Sequence, residues 1–255
     1  MPFAESLRDW RRRRGLSQLR LGLEADVSAR HIAFLETGRS HPTRAMVIRL
    51  SNALEVPRGE RNVLLESAGF VAAYQRRDLD ATEMRFIRAA VDWTLSRHAP
   101  YPAFAYDRRW HLVALNEPAT SMLGAVGLRA GDSILDAMLA PSPLRAAIDN
   151  WPDVARHMCA RLKTESRHLG GDVLLSAAAE KLAAETADPP GGHAPLPAVT
   201  TTRYRLGAVS FSFFSTIAQF GSAEDIALAE LKLELLFPAD EATRQALEAA
   251  AADRD

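Results

Sequence analysis

Leu16-Ser-Gln-Leu-Arg-Leu-Gly-Leu-Glu-Ala-Asp-Val-Ser-Ala-Arg-His-Ile-Ala-Phe-Leu-Glu36 carries two helix-start signals, Ser17 and Ser28, eleven residues apart. A serine ahead of a helix accepts a hydrogen bond from an otherwise orphaned first-turn amide, so each is expected to cap the helix that follows it. The interval leaves room for one short helix and a tight turn. Leu21 and Ala25, four apart, share a face of the first helix, Ile32 and Leu35, three apart, share a face of the second, and Val27 plugs the corner. The turn needs one residue near left-handed helical angles. Glycine fills such a position at least cost; here it is Asp26, a type that tolerates the region better than most. Gly22 costs its helix about 1 kcal/mol relative to Ala, which makes sense where a second backbone passes close by. Two short helices joined in this way can lay the second one in a DNA groove.

Charge points the same way. Residues 1–49 hold ten Arg and no Lys against five Asp and Glu, a local balance of +5 in a chain that is formally −1, leaving about −6 for the remainder. Positive charge without lysine favours bidentate contacts over plain point-charge attraction.

Leu7-Arg8, Arg11, Gly15-Leu16-Ser17-Gln18, Leu21, Val27-Ser28, Ile32, Leu35-Glu36 and Gly38, continued by Arg39, Pro42, Leu50, Leu54 and Pro57, resemble the signature of the phage-repressor (XRE-type) helix-turn-helix family. The resemblance covers roughly the first quarter of the chain and implies one five-helix domain. It implies that Ser28 to Leu35 form the recognition helix, with Ala29, Arg30 and Phe34 aimed at base edges. Arg30 can bridge guanine O6 and N7, and Ala29 and Phe34 offer apolar surface to a thymine methyl. His31 is expected at a base or a phosphate, and Ser17, Gln18, Arg39 and Arg44 at backbone phosphate. Within the run Arg11-Arg12-Arg13-Arg14, the resemblance pairs Arg11 internally with Glu36. Arg12, Arg13 and Arg14 read equally as phosphate contacts or as a solvated face.

With 255 residues, 47% hydrophobic and 25% charged, the chain has the composition of a globular protein of two domains. No apolar run approaches the ~20 residues of a membrane span, and the chain enters an amphipathic helix within a few residues of Met1, so a cytoplasmic protein is expected. Cys159 is the one cysteine, which excludes an internal disulfide and a Cys-rich metal site. The expected domains are a helix-turn-helix domain over 1–69, a linker over 70–81 and a second domain over 82–255.

A fifth helix is expected from Pro57 to Ala68, and another from Thr82 to His98 with Met84, Ile87, Val91 and Leu95 as its apolar stripe. After Pro102 the period turns to alternation. Ala103 to Tyr106, a turn at Asp107-Arg108, and Trp110 to Asn116 read as a hairpin, with Pro118 in the first turn of a following helix. Helices are expected over Ser142 to Asp149, Trp151 to Leu169 and Asp172 to Ala187, a loop over Asp188 to Pro197, and strands over Thr200 to Leu206, Ala208 to Phe220 and Glu230 to Phe237. Strand, turn, strand, Asn, helix resembles the opening of a PAS-type domain.

Ser28 to Ser40, Tyr101 to Trp110, Asn150-Trp-Pro, Phe213 to Gly221 and Leu236-Phe-Pro-Ala-Asp are together similar to the MmyB-like transcription regulators. That resemblance spans nearly the whole chain. It implies an α+β protein, an all-α repressor-type head followed by a PAS-like antiparallel sheet with covering helices. It implies double-stranded DNA and a small lipid-like effector as partners; a homodimer is expected because one recognition helix reads only about four base pairs, and the lack of a long apolar run leaves no membrane partner. A bound fatty acid or similar apolar molecule is the only small molecule expected. On one proposed sheet face, Phe104, Tyr106, Trp110, Phe211, Phe213 and Leu233, covered by helices bearing Met122, Leu123, Trp151 and Met158, describe either an apolar cavity or a filled core, and with a filled core the domain would be a ligand-free dimerisation or protein-interaction module. Arg156, His157 and Arg161 are the candidate cations for an acidic head group, or else a solvated face. For an enzyme, the seven histidines show no metal-ligand spacing, and neither Gly-x-Ser-x-Gly nor a phosphate loop is present. On a helix His157 and Cys159 point about 200° apart, which is no geometry for a nucleophile and its base.

Overall fold

The computed structural model describes residues 1–186, 199–207, 209–221 and 223–252. The chain divides into two compact units, the first made of Met1–Arg76 with Lys163–Ser176 and Glu224–Ile226, the second of Arg77–Leu162, Ala177–Ala223 and Ala227–Asp255.

Five helices make the first unit's head: α1 (Phe3–Arg13), α2 (Gln18–Ala25), α3 (Ala29–Glu36), α4 (Arg44–Ala53) and α5 (Arg58–Ser67). Each is too short to persist in water alone, so packing holds them. Leu21, Ile32, Leu35 and Leu65 have no accessible surface, and Leu7, Val47, Leu50, Leu54 and Leu64 are 1–2% exposed. At about 1.5–3 kcal/mol per buried aliphatic side chain, this cluster decides the head's stability.

The second unit opens with one 3-10 turn (Thr82–Met84) leading into α6 (Arg85–Arg97). The expected stripe is the buried one, since Met84, Val91 and Leu95 are 5%, 0% and 2% exposed. An antiparallel sheet follows, β1 (Ala103–Tyr106), β2 (Leu112–Leu115), β3 (Thr202–Leu206), β4 (Val209–Gln219) and β5 (Lys232–Pro238), in the order β2-β1-β5-β4-β3. Between β2 and β3 run α7 (Glu117–Gly124), α8 (Ile134–Leu139), α9 (Pro143–Ala146), α10 (Trp151–His168) and α11 (Val173–Glu185); α12 (Ile226–Glu230) and α13 (Glu241–Ala252) flank β5. The architecture is α+β, an all-helical head and a sheet domain with covering helices.

Asn116 ties three elements of this unit together. Its Oδ1 accepts from the amides of Ala103 at 2.9 Å and Ala119 at 3.0 Å, while its Nδ2 donates to the carbonyls of Tyr101 at 2.8 Å and Leu95 at 3.0 Å. All four hydrogen-bonding positions of a buried amide are thus used, which fixes the end of α6, the start of β1 and the cap of α7.

Register corrects the proposed sheet face. Phe104 pairs with Glu234 and Ala105 with Leu233, so Leu233 lies on the opposite face from Phe104 and Tyr106. It packs with Ala103, Ala105, Val91 and Leu95 instead. The second strand begins at Leu112, two residues later than expected, because Trp110 turns the chain at φ 65°. Only Pro143–Ala146 of the helix expected over Ser142 to Asp149 forms, and Glu230 ends α12 where a strand was expected to begin. The expected loop from Asp188 to Pro197 falls outside the described residues.

Candidate nucleic-acid interface and ligand pocket

The turn between α2 and α3 forms as its residues dictate. Ser17 Oγ accepts from the amide of Arg20 at 3.0 Å and Ser28 Oγ from that of His31 at 3.2 Å, each capping its helix. Asp26 sits at φ 52°, ψ 52°, the left-handed position the turn requires. A Cβ on Gly22 would lie 2.5 Å from the carbonyl oxygen of Val27, so only glycine lets the chain double back this closely.

The inner face of α3 is buried through Ile32, Leu35 and Glu36. Glu36, 3% exposed, accepts from Arg11 Nε at 2.6 Å and Nη2 at 2.7 Å, a bidentate pair, and from Gln18 Nε2 at 2.9 Å. Burial by itself would push the Glu36 carboxyl up; the hydrogen bonds from Arg11 and Gln18 and the charge of Arg11 outweigh it and hold the group below the usual carboxylate range. One carboxylate thus anchors α1 and α2 to α3. The pairing implied for Arg11 is present. Gln18, expected at phosphate, gives a side-chain hydrogen to Glu36 instead. Arg14 takes neither of its two expected roles, for its Nε donates to the carbonyl of Leu54 at 2.9 Å and its Nη2 to that of Glu55 at 3.0 Å.

The outer face of α3 carries Arg30, exposed, with its guanidinium 5.3 Å from the centre of the Phe34 ring. Ala29, His31 and Phe34 around it are half-buried, and Arg39 and Arg44 beyond α3 are exposed. Thr43 caps α4 by accepting from the amide of Met46 at 3.2 Å, which leaves Arg44 in that helix's first turn.

In the second unit, the nine residues expected at a ligand separate into three groups. Met122, Phe211 and Phe213 line an apolar cavity of about 190 Å³ with Pro102, Pro118, Ser121, Leu206, Leu247 and Ala250. Phe104, Tyr106 and Trp110 do not line it. They are 7%, 0% and 3% exposed and pack in series as tilted pairs, with ring centres 6.1 and 5.0 Å apart. Arg161 of α10 lies 4.5 Å over Trp110, donates to the Tyr106 hydroxyl, and pairs with Glu234 of β5 at 3.2 Å. These three rings pack against one another and against Arg161. Trp151, Arg156 and His157 stand on α10 as the third group. Arg145 covers the Trp151 ring at 4.5 Å, Arg156 pairs with Asp153 at 2.5 Å, and His157 Nδ1 is 3.3 Å from the Thr200 hydroxyl. Partial burial and then the charge of Arg161 push His157 below its ordinary value, against the pull of Glu234.

A family profile described as the MmyB-like transcription regulator ligand binding domain matches residues 87–250, well over half of the chain. The chain belongs to the MmyB-like transcription regulators. A helix-turn-helix profile matches residues 7–60, the stretch that holds α1 to α4 and the start of α5. This MmyB-like protein is therefore a DNA-binding transcription regulator with a ligand-binding domain. No curated protein matches the chain. Among the described residues, no helix is long and apolar enough to cross a membrane.

Two parts of this regulator's ligand-binding domain were missed in the sequence reading. Leu247 and Ala250 belong to α13, whose start is signalled by Asp240, the carboxylate that accepts from the amide of Thr243 at 2.8 Å, and whose body is alanine-rich. Glu234, the partner of Arg161, sits in an alternating strand where a charge reads as solvent-facing; only a cation on a distant helix turns it inward.

Proposed function

We propose that the head reads double-stranded DNA with the outer face of α3 and that the sheet domain answers a small apolar effector. The observation that carries the first part is Arg30: exposed, with its guanidinium 5.3 Å from the centre of the Phe34 ring, and opposite a face locked down by Glu36. An exposed guanidinium beside an aromatic ring presents its planar fork for bidentate contact with guanine O6 and N7. Ala29 and Phe34 offer apolar surface to a neighbouring thymine methyl, and His31 reaches a base or phosphate. Ser17 at the start of α2, with Arg39 and Arg44, meets phosphate, while Gln18 holds α2 to Glu36. One such helix spans about four base pairs, too few to pick a site from a genome, so a homodimer on half-sites about one helical turn apart is the working assembly.

For the effector, the cavity between the sheet, α7 and α13 supports a slender apolar molecule of the fatty-acid kind. At about 190 Å³ it is smaller than the ~300–1,000 Å³ of pockets for drug-sized ligands, which favours a narrow chain over a fused-ring compound. Binding shifts the regulator only by the difference in affinity between its two arrangements. A regulator with this DNA-facing chemistry acts in the cytoplasm.

Gel shift on the DNA upstream of its own gene, across a salt series, tests the head. Affinity is expected to fall steeply with salt, and Arg30→Ala to cost about 1–3 kcal/mol, roughly 5- to 150-fold, at sites carrying the contacted guanine. Binding without a salt slope, or indifferent to Arg30→Ala, would overturn it. Native mass spectrometry of the purified protein tests the effector; a bare chain mass from every preparation counts for the ligand-free dimerisation reading that the packed Phe104-Tyr106-Trp110 cluster favours.

A further inference from the structure

α6 buries one face and leaves a second one bare. Phe86 is 73% and Trp93 62% exposed, seven residues apart and so on one side of the helix, with the exposed residues Ala89 and Ala90 between them. Glu83 and Arg97, both exposed, continue the same stripe at either end. The two aromatics already carry guanidinium covers from their own helix, Arg85 at 4.6 Å from Phe86 and Arg97 at 5.8 Å from Trp93. A solvated helix gains nothing from two large rings in water, and each brings about 150–250 Å² of surface to whatever covers it.

We infer that the occupant is the α6 of a second copy of this chain, packed antiparallel about a two-fold axis through Ala89 and Ala90. The sequence is self-complementary about that point. Reversing the helix there sets Phe86 against Trp93 of the second copy and Trp93 against Phe86, so each ring meets a ring of the other type. The two alanines at the crossing let the axes approach to the ~8 Å that small side chains permit. Glu83 comes opposite Ser96 of the second copy, one residue from Arg97, so opposite charges close both ends. A parallel pair would instead oppose Glu83 with Glu83 and Arg97 with Arg97, and like charges decide against it. An unrelated acidic or basic partner would not find both signs in this order.

The inference rests on the dimer reading above and assigns it a surface. Sedimentation velocity of the full chain tests it. The natural protein should sediment as a dimer, and Trp93→Ala should raise the dimer dissociation constant at least about tenfold. Glu83→Arg should weaken the dimer, and Glu83→Arg with Arg97→Glu should restore it. Because Cys159 is buried, Ala90→Cys adds the one exposed thiol, and mild oxidation should link two copies through it. Glu83→Cys should not link to itself, since antiparallel packing separates the two positions by about 20 Å along the axis, 13 residues at 1.5 Å each. A dimer that ignores Trp93→Ala and the charge swap overturns this surface and leaves dimerisation standing. A natural chain that stays monomeric with and without operator DNA overturns both. Self-linking of both cysteine variants overturns the antiparallel arrangement.

Discussion

In the head the buried charge is Glu36, which takes three hydrogen bonds of 2.6 to 2.9 Å from Arg11 and Gln18. In the ligand-binding domain the comparable pair, Arg161 and Glu234, is looser at 3.2 to 3.4 Å, and each side chain keeps 12% of its surface. Beside it the Trp110 indole N–H, like that of Trp151, has no hydrogen-bond partner among the described residues, as is also true of the Ser51 hydroxyl in the head. The head is thus built to have one arrangement, because a presented reading face is useful only if it does not move. The second domain keeps open apolar volume beside a looser ion pair, and a domain of that kind can take up a guest and repack around it.

The largest expected effect tests the tight side of that contrast. Glu36→Ala strands the Arg11 guanidinium, whose side chain is 11% exposed, and should cost the head about 3–5 kcal/mol in urea denaturation. Glu234→Ala should cost clearly less, about 1–3 kcal/mol, because Arg161 keeps its aromatic faces and the Tyr106 hydroxyl. Equal losses would erase the distinction between the two domains. Acid sharpens it. Folding lowers the Glu36 carboxyl below its ordinary 4.5, so its contribution is complete above that value and drains away as pH falls through the lowered one. Glu36→Gln should flatten this acid limb while leaving the rest of the pH profile in place.

A smaller loss is expected where the head's backbone runs closest. Helix propensity alone would have Gly22→Ala gain about 1 kcal/mol. The added Cβ would stand 2.5 Å from the Val27 carbonyl oxygen, a backbone atom that cannot swing aside, and the α2–α3 angle would have to open. The net change is expected to be a loss of about 1–3 kcal/mol, with weaker DNA binding from the displaced α3. A stabilised Gly22→Ala protein would mean that the turn yields and that the head is softer than its packing indicates.

The head was legible because its information is local. Serine caps, an aspartate at the left-handed position and a glycine at the close approach each act within a few residues, and the structure meets all three. The sheet domain was legible only as far as its periodicity reached. The α6 stripe reads correctly over thirteen residues, whereas α8 and α12, six and five residues long, are too short for a helical period to register. Alternation identified β5 but not its parity. Hydrophobicity groups Leu233 with the aromatics of β1, yet the register pairs it with Ala105 and turns Glu234 to the aromatic side, where Arg161 meets it. That choice depends on a helix seventy residues away, and no local pattern encodes it. A like limit dispersed the expected ligand residues: Phe104, Tyr106, Phe211 and Phe213 share one sheet face, and it is the placement of α7, α10 and α13 over that face that separates them.

The smallest effect on stability belongs to the cavity itself. Ala250 lies on α13 at the cavity wall and is exposed, so Ala250→Leu adds apolar atoms to space that holds no protein atom. The unliganded domain should change by less than about 1 kcal/mol, as a substitution that neither opens a void nor strands a polar group. Retention of a lipid-like guest should nevertheless fall, because the new side chain occupies volume the guest needs. Native mass spectrometry of the two proteins, prepared in parallel from the same cells, compares the bound mass. Loss of guest at unchanged stability makes the cavity a binding volume and not a packing defect. A guest held equally by both proteins would have to sit elsewhere in the domain, and the packed rings around Arg161 would become the place to look, where binding would require the core to open.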